Sequence, residues 1–146
     1  FNSGDDEMIS IASKLGLKII KREKKLLGHE VPSRLIFKSC FEKMPKSIDG
    51  ILHIQANSPN LELNLIKCAF QIMQMNKIEE LLSCDKDYKQ YGSLWGITRK
   101  RIKKYNMNKN THDRKVIKPD CYLVDKSIDI HNIKDFNLSL NQSVKR

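Results

Sequence analysis

The stretch 50-GILHIQANSPNLELNLIKCAF-70 decides the fold, because it passes from a strand pattern to a helix pattern through a short polar loop. The apolar run 51–54 is typical of a buried strand, and the second half of the stretch places apolar side chains at helical spacing. In open α/β sheets, ligands bind at the carboxyl ends of strands. Gln55, Asn57 and Ser58 therefore either line a binding site or only connect a strand to a helix.

The same alternation of short strands and longer helices recurs along the chain and favours βαβ units on a largely parallel sheet. We expect a single α/β domain over residues 1–146, without internal repeats. Residues 98–115 leave a helix, a hairpin and an ordered loop as alternatives. Apolar runs predict strands at 17–20, 51–54, 81–84 and 94–97, and helical stripes begin near residues 6, 33, 60 and 133. Two further short apolar segments, 121–124 and 128–130, follow, and the second would be a short strand around residue 129.

Composition indicates an ordinary globular protein. Apolar residues make up 40% of the 146 residues and charged residues 30%, and no apolar run reaches the roughly 20 residues that a membrane span needs. The four cysteines are far apart, which favours neither a zinc site nor a disulfide framework. A cytoplasmic location without membrane partners is the expectation that follows.

The net charge of +10 has its densest source in the run 99-RKRIKKY-105. Such a run is most often a solvated surface, although lysine and arginine clusters also neutralise the phosphates of nucleic acids. We expect the solvated surface and do not favour nucleic-acid binding. A basic surface also suits a small anionic substrate.

Asp129 is the most suggestive residue among the predicted strand-end loops, because isoleucines flank it on both sides. A carboxylate in apolar surroundings needs a cation, hydrogen-bond donors or open solvent. Asp129 therefore either binds Mg²⁺, which often takes one or two carboxylates, or caps the last helix or pairs with a lysine. His131 would share its face.

Four segments, in order, resemble cytidylyltransferases of the CMP-sialic acid synthetase type, which are related to the CMP-KDO synthetases. NSGDDEMISIASKLG (2–16) is similar to the family's S-T-D motif and the helix that follows it. IKREKKLLGHEVPS (20–33) resembles the R-P-x-E-L-A-x-D-x-x-S segment, and HIQANSP (53–59) resembles the L-Q-x-T-S-P loop. SIDIHNIKDFNLSL (127–140) resembles the terminal I-D-I-D-T-x-x-D-F motif.

The resemblance implies a three-layer αβα, Rossmann-like domain of the nucleotide-diphospho-sugar transferase type, with a mostly parallel sheet that is incomplete at its N-terminal side. It implies that the anomeric hydroxyl of a sugar acid attacks the α-phosphate of CTP and releases pyrophosphate, with Mg²⁺ as cofactor. The residues implied are Arg22 and Ser33 for the nucleotide, Gln55, Asn57 and Ser58 for the sugar acid, Asp129 and His131 for the metal, and Asp129 and Lys89 for catalysis.

The chain also departs from the family pattern. The first strand and the basic loop that grips the triphosphate have no counterpart here, and His131 stands where the family has a second aspartate. The alternative expectation is therefore a degenerate, non-catalytic relative that binds a nucleotide or a sugar in a regulatory or scaffolding role. The identity of the sugar acid and the oligomeric state are open, with a homodimer as one alternative.

Overall fold

A computed structural model describes residues 1–28, 30–87, 90–105 and 118–144, the side chains of residues 90–92 and 143–144 excepted. The strands are β1 (Asn2–Ser3), β2 (Ile20–Lys21), β3 (Gly50–Ile54), β4 (Glu80–Cys84), β5 (Gln90–Thr98) and β6 (Cys121–Val124). The helices are α1 (Asp6–Lys14), α2 (Ser33–Lys43), α3 (Leu63–Met75), α4 (Arg99–Ile102) and α5 (Ile133–Val144).

Helix α1 begins and ends where its local sequence dictates. The carboxylate of Asp5 accepts a hydrogen bond from the backbone N–H of Met8 at 2.8 Å, which satisfies one free donor of the first turn. Gly16 follows the helix with φ +76°, a left-handed conformation that a residue with a Cβ rarely adopts. Both ends of α1 thus depend on residues next to the helix in the sequence.

The described strands form a two-stranded parallel sheet, β1–β2, and a four-stranded sheet in the order β3–β5–β4–β6. In the larger sheet β4 and β6 are parallel, whereas β5 runs antiparallel to both of its neighbours, β3 and β4. The α/β class is thus confirmed, but the sheet is mixed. The expectation of a mostly parallel sheet is wrong.

The antiparallel β5 follows from the short connection between Cys84 and Gln90. A few residues are enough for an antiparallel return, whereas a parallel crossover needs about a dozen. We predicted a strand only over residues 94–97, which made this connection look longer than it is. Because β5 is reversed, β3, β4 and β6 still run in one direction, and their carboxyl ends share one edge.

Two apolar clusters cover the two faces of the larger sheet. Phe37 and Phe41 of α2 pack with Ile97 on one face, and Ala69 of α3 packs with Leu81 and Leu94 on the other. Gly96 allows α3 to lie close to the sheet, because an added Cβ there would overlap the sulfur of Met73.

Helix α5 presents its predicted apolar stripe to solvent. Ile133, Phe136 and Leu140 are 73%, 44% and 50% exposed, whereas Ser139 is buried. The buried side is held by a hydrogen bond from the side-chain amide of Asn60 to the carbonyl of Ser139, at 3.1 Å. Within the described ranges, the helices all fall short of the length and apolar character that crossing a bilayer requires.

Candidate functional site

The candidate site lies at one edge of the four-stranded sheet, here called the carboxyl edge. It comprises the loop 55–58 after β3, Asp85 after β4, Ser93 in the first half of β5, and the loop 125–131 after β6. These loops meet because β3, β4 and β6 run in the same direction.

The two loops that carry the predicted site residues are in direct contact. The backbone N–H of Ile130 donates to the carbonyl of Asn57 at 2.9 Å, which places Asp129 next to the loop 55–58. The backbone N–H of Gln55 in turn donates to the carbonyl of Ser93 at 2.9 Å. The structure therefore brings Asp129 close to the loop that contains Gln55 and Asn57, although the two segments are far apart in the sequence.

Asp125 is the centre of a buried polar network at this edge, and sequence reasoning missed it. Its Oδ2 accepts hydrogen bonds from the hydroxyls of Ser93 and Ser127, and its Oδ1 accepts one from the backbone N–H of Ser127 at 2.8 Å. The hydroxyls of Ser93 and Ser83 are also hydrogen bonded, at 2.7 Å. All four residues are at least nine-tenths buried. An Asp two residues before a Ser, directly after a strand, is the turn signal that marks such a residue.

Asp129 lies between the two anchored parts of the loop 125–131. Its Oδ2 is 2.9 Å from Nε2 of His131, and its side chain is 20% exposed. The cap of α5 is instead Asn132, whose side-chain oxygen accepts from the backbone N–H groups of Lys134 and Asp135 at 2.9 and 3.1 Å. The alternative in which Asp129 caps the last helix is therefore wrong.

The donor set around Asp129 fits a Mg²⁺ ion that arrives with phosphates, but not a metal enclosed by protein ligands. Among the described residues, no group of three or more His, Cys, Asp or Glu side chains is placed to hold a metal ion. A single carboxylate is enough for Mg²⁺ when phosphates and water complete its octahedron. His131 suits Mg²⁺ poorly, because imidazole favours softer transition metals.

Ser58 does not face the site in this conformation. The residue is 2% exposed, and its hydroxyl oxygen is buried without a hydrogen-bond partner among the described residues. Gln55 and Asn57 are partly exposed. A ligand at the carboxyl edge would thus meet Gln55 and Asn57 before Ser58. Lys89, which we also predicted in this site, lies outside the described residues.

Arg22 directly follows β2 and is held by Asn2 of β1. Its Nε donates to Oδ1 of Asn2 at 2.9 Å, and its Nη2 donates to the carbonyl of Asn2 at 3.2 Å. Ser33 is exposed at the first turn of α2. Arg22 also acts on β3: burial, and secondarily the positive charge of Arg22, lower the pKa of His53 to about 4.

The opposite edge of the sheet, here called the amino edge, buries a second carboxylate that sequence reasoning missed. Glu80 is fully buried, and its Oε2 pairs with Nε of Arg101 at 2.8 Å. Its Oε1 accepts from the indole N–H of Trp95 at 3.0 Å and from the hydroxyl of Tyr105 at 2.6 Å. Burial, and then the hydrogen bond to Glu80, raise the pKa of Tyr105.

The two arginines of the basic run at the amino edge bond inside the protein, whereas its lysines lie at the surface. Arg99 donates to the carbonyls of Phe41 and Pro45 at 2.6 and 2.9 Å and so satisfies free acceptors after α2. The ammonium groups of Lys100 and Lys104 each lie 2.6 Å from the carboxylate of Glu79. These contacts leave fewer of its cations directed to solvent than the sequence suggested.

A scan against protein-family models gives no match to the chain, and a search of curated proteins gives none either. Evidence for a function therefore comes from the residues at the carboxyl edge and from the motifs that they form.

Proposed function

We propose that the chain is the larger part of a nucleotidyltransferase resembling acylneuraminate cytidylyltransferases, which activates a sugar acid with CTP. The observation that carries this proposal is the 2.9 Å hydrogen bond from Ile130 to Asn57. It joins the loop resembling the family's sugar-binding motif to the loop resembling its metal-binding motif. Both loops belong to the carboxyl edge, where open α/β sheets bind ligands.

In the proposed reaction the anomeric hydroxyl oxygen of the sugar acid bonds to the α-phosphorus of CTP. The bond from that phosphorus to the bridging oxygen breaks, pyrophosphate leaves, and the hydroxyl proton is released. Gln55 orients the sugar acid, and Arg22 and Ser33 bind the nucleotide. Asp129 holds Mg²⁺, which would neutralise charge at the phosphates when bound. Such a reaction asks the protein mainly for positioning and for charge neutralisation.

The family's basic loop for the triphosphate has no counterpart here, and among the described strands the outer edge of β3 offers a place for the strand that would carry it. Hydrogen bonds from Arg99 to Asp49 and from Gln55 to Ser93 set the phase of the β3–β5 ladder. The backbone groups of Gly50, Leu52 and Ile54 therefore point away from β5. We propose that a strand supplied from outside these residues pairs there.

The test is pyrophosphate release from CTP, measured on the full-length protein with sialic acid or KDO as acceptor. Asp129→Ala should lower Mg²⁺-dependent turnover at least 100-fold, on the order expected when charge stabilisation is removed from a reacting phosphate. Asp49→Ala, an exposed carboxylate beyond the other end of β3, is the matched control and should turn over normally. Full activity in Asp129→Ala would refute the metal assignment.

The degenerate relative is the second candidate, and the contact between Asp129 and His131 favours it. An imidazole 2.9 Å from the carboxylate occupies the place of a second metal-binding aspartate. This candidate predicts that the full-length protein binds CTP or a sugar acid in calorimetry yet releases no pyrophosphate. A reading frame upstream of Phe1 without a strand and a basic Gly- or Ser-containing loop would also support it.

A further inference from the structure

The loop 125–131 is anchored at both ends, and Asp125 supplies its first anchor. The backbone N–H of Asp125 donates to the carbonyl of Cys84 at 2.8 Å, which extends the β4–β6 ladder by one residue. Its carboxylate then receives three hydrogen bonds from Ser93 and Ser127. Asp125 therefore connects the end of β6, the interior of β5 and the beginning of the loop.

The second anchor lies on the far side of Asp129. Ile130 donates to the carbonyl of Asn57, and the backbone N–H of His131 donates to the carboxylate of Asp135 at 3.0 Å. Between the anchors, the carbonyl of Lys126 accepts from the side-chain amide of Gln142 at 3.0 Å. The position of Asp129 relative to the loop 55–58 thus depends on where Asp125 starts the turn.

We infer that Asp125 is a positioning residue, which holds Asp129 at the distance from Gln55 and Asn57 that the carboxyl edge requires. This inference rests on the proposed function for the identity of the ligand, a metal–nucleotide complex, but its geometry is independent of that ligand. A carboxylate suits the role because it offers two acceptor oxygens to three fixed donors. A carboxamide offers one acceptor oxygen and turns a donor towards one of these groups.

A purely structural role for Asp125 predicts a different pattern of amide hydrogen exchange in the Asp125→Asn variant. If Asp125 only stabilised the fold, Asp125→Asn would loosen all parts of the sheet together. If Asp125 positions the loop, the change is local: the amide of Ile130 loses protection while the amides of the β4–β5 ladder keep theirs. Amide hydrogen exchange, measured without metal or nucleotide, distinguishes the structural role from the positioning role.

The experiment uses the full-length protein in four forms: wild type, Asp125→Asn, Asp129→Ala and Ile97→Val. The last is a control that loosens the core at a residue outside the carboxyl edge. Exchange of the Ile130 amide should accelerate at least about tenfold in Asp125→Asn and not in Ile97→Val. Binding of Mn²⁺ with CTP, followed by electron paramagnetic resonance, should weaken about 10- to 100-fold in Asp125→Asn, as for other residues that orient a metal ligand.

The outcomes distinguish this inference from the proposed function. Unchanged Mn²⁺ binding in Asp129→Ala overturns the metal assignment, and the exchange data still decide whether Asp125 positions the loop. Weakened binding in Asp129→Ala with wild-type binding and exchange in Asp125→Asn overturns the inference. Uniform acceleration of amide exchange across the sheet in Asp125→Asn also overturns the inference. If Asp125→Asn does not fold, Ser127→Ala removes a single donor and should shift Ile130 exchange in the same direction by a smaller factor.

Discussion

The two edges of the four-stranded sheet each bury a carboxylate, but they satisfy it in different ways. At the amino edge, Glu80 receives a guanidinium, an indole and a phenol. At the carboxyl edge, Asp125 receives two serine hydroxyls and a backbone N–H. Glu80 is thus held by large side chains that also fill space, and Asp125 by small groups that only orient it.

This difference separates an edge that holds the chain together from an edge that arranges a loop. The partners of Glu80 come from β5, from α4 and from the turn that follows α4, so these bonds tie three segments to β4. The carboxylate of Asp120 adds bonds to the backbone N–H groups of Glu79 and Glu80 at 2.8 and 2.9 Å.

The largest effect that this comparison predicts is the loss of stability in Glu80→Gln. The change leaves the buried guanidinium of Arg101 without its counter-charge, which typically costs roughly 3–5 kcal/mol of unfolding free energy. Urea unfolding monitored by circular dichroism measures it. Glu79→Gln is the matched control, because its lysine partners are largely exposed and it should cost much less. Equal losses of unfolding free energy in the two variants would show that the buried pair of Glu80 contributes no more to stability than the surface pairs of Glu79.

A second, smaller effect is the loss of stability on protonation of His53, a residue of β3. His53 contacts the ring of Phe37, its Nδ1 is buried without a described partner, and burial lowers its pKa from 6.5 to about 4. The unfolded chain therefore takes up the proton first, and stability falls as the pH drops from about 6.5 to about 4. The full loss is roughly 3 kcal/mol.

The measurement compares urea unfolding of wild type and His53→Leu between pH 4 and pH 7. The stability of wild type relative to His53→Leu should fall by most of that amount as the pH drops, because the variant has no imidazole to protonate. Ile97→Val, which loosens the core without removing a titratable group, serves as control and should keep the wild-type slope. A pH-independent difference between wild type and His53→Leu would show that burial and Arg22 do not disfavour the charged ring.

The smallest expected effect is on nucleic-acid binding by the amino edge. Arg99 and Arg101 are directed into the protein, and Lys100 and Lys104 are paired with Glu79. We expect the double variant Lys100→Ala/Lys104→Ala to leave the anisotropy of labelled single-stranded RNA unchanged at physiological salt. A steep salt dependence in the wild type, reduced by a slope of about 1.4 in the variant, would instead mark this edge as a phosphate-binding surface.

Local patterns predicted the elements better than their arrangement. The strand at Gly50–Ile54 and the helix cap at Asp5 depend on neighbours within a few residues, so the sequence alone indicates them. The direction of β5 was predicted wrongly because its first residues were taken for loop. The loops after β3 and β6 meet through the hydrogen bond between Ile130 and Asn57, although their strands are not adjacent in the sheet.

Local sequence patterns indicate most helices and strands and the polar residues that follow the strands, but not the first residues of β5. Only the tertiary structure decided which polar residues share a network: Ser93 and Asp125 are 32 residues apart, and Asn60 and Ser139 are 79 apart. The physical reason is that helix and strand signals act over one or two turns of chain, whereas a buried carboxylate takes its partners from whichever strands the sheet brings beside it.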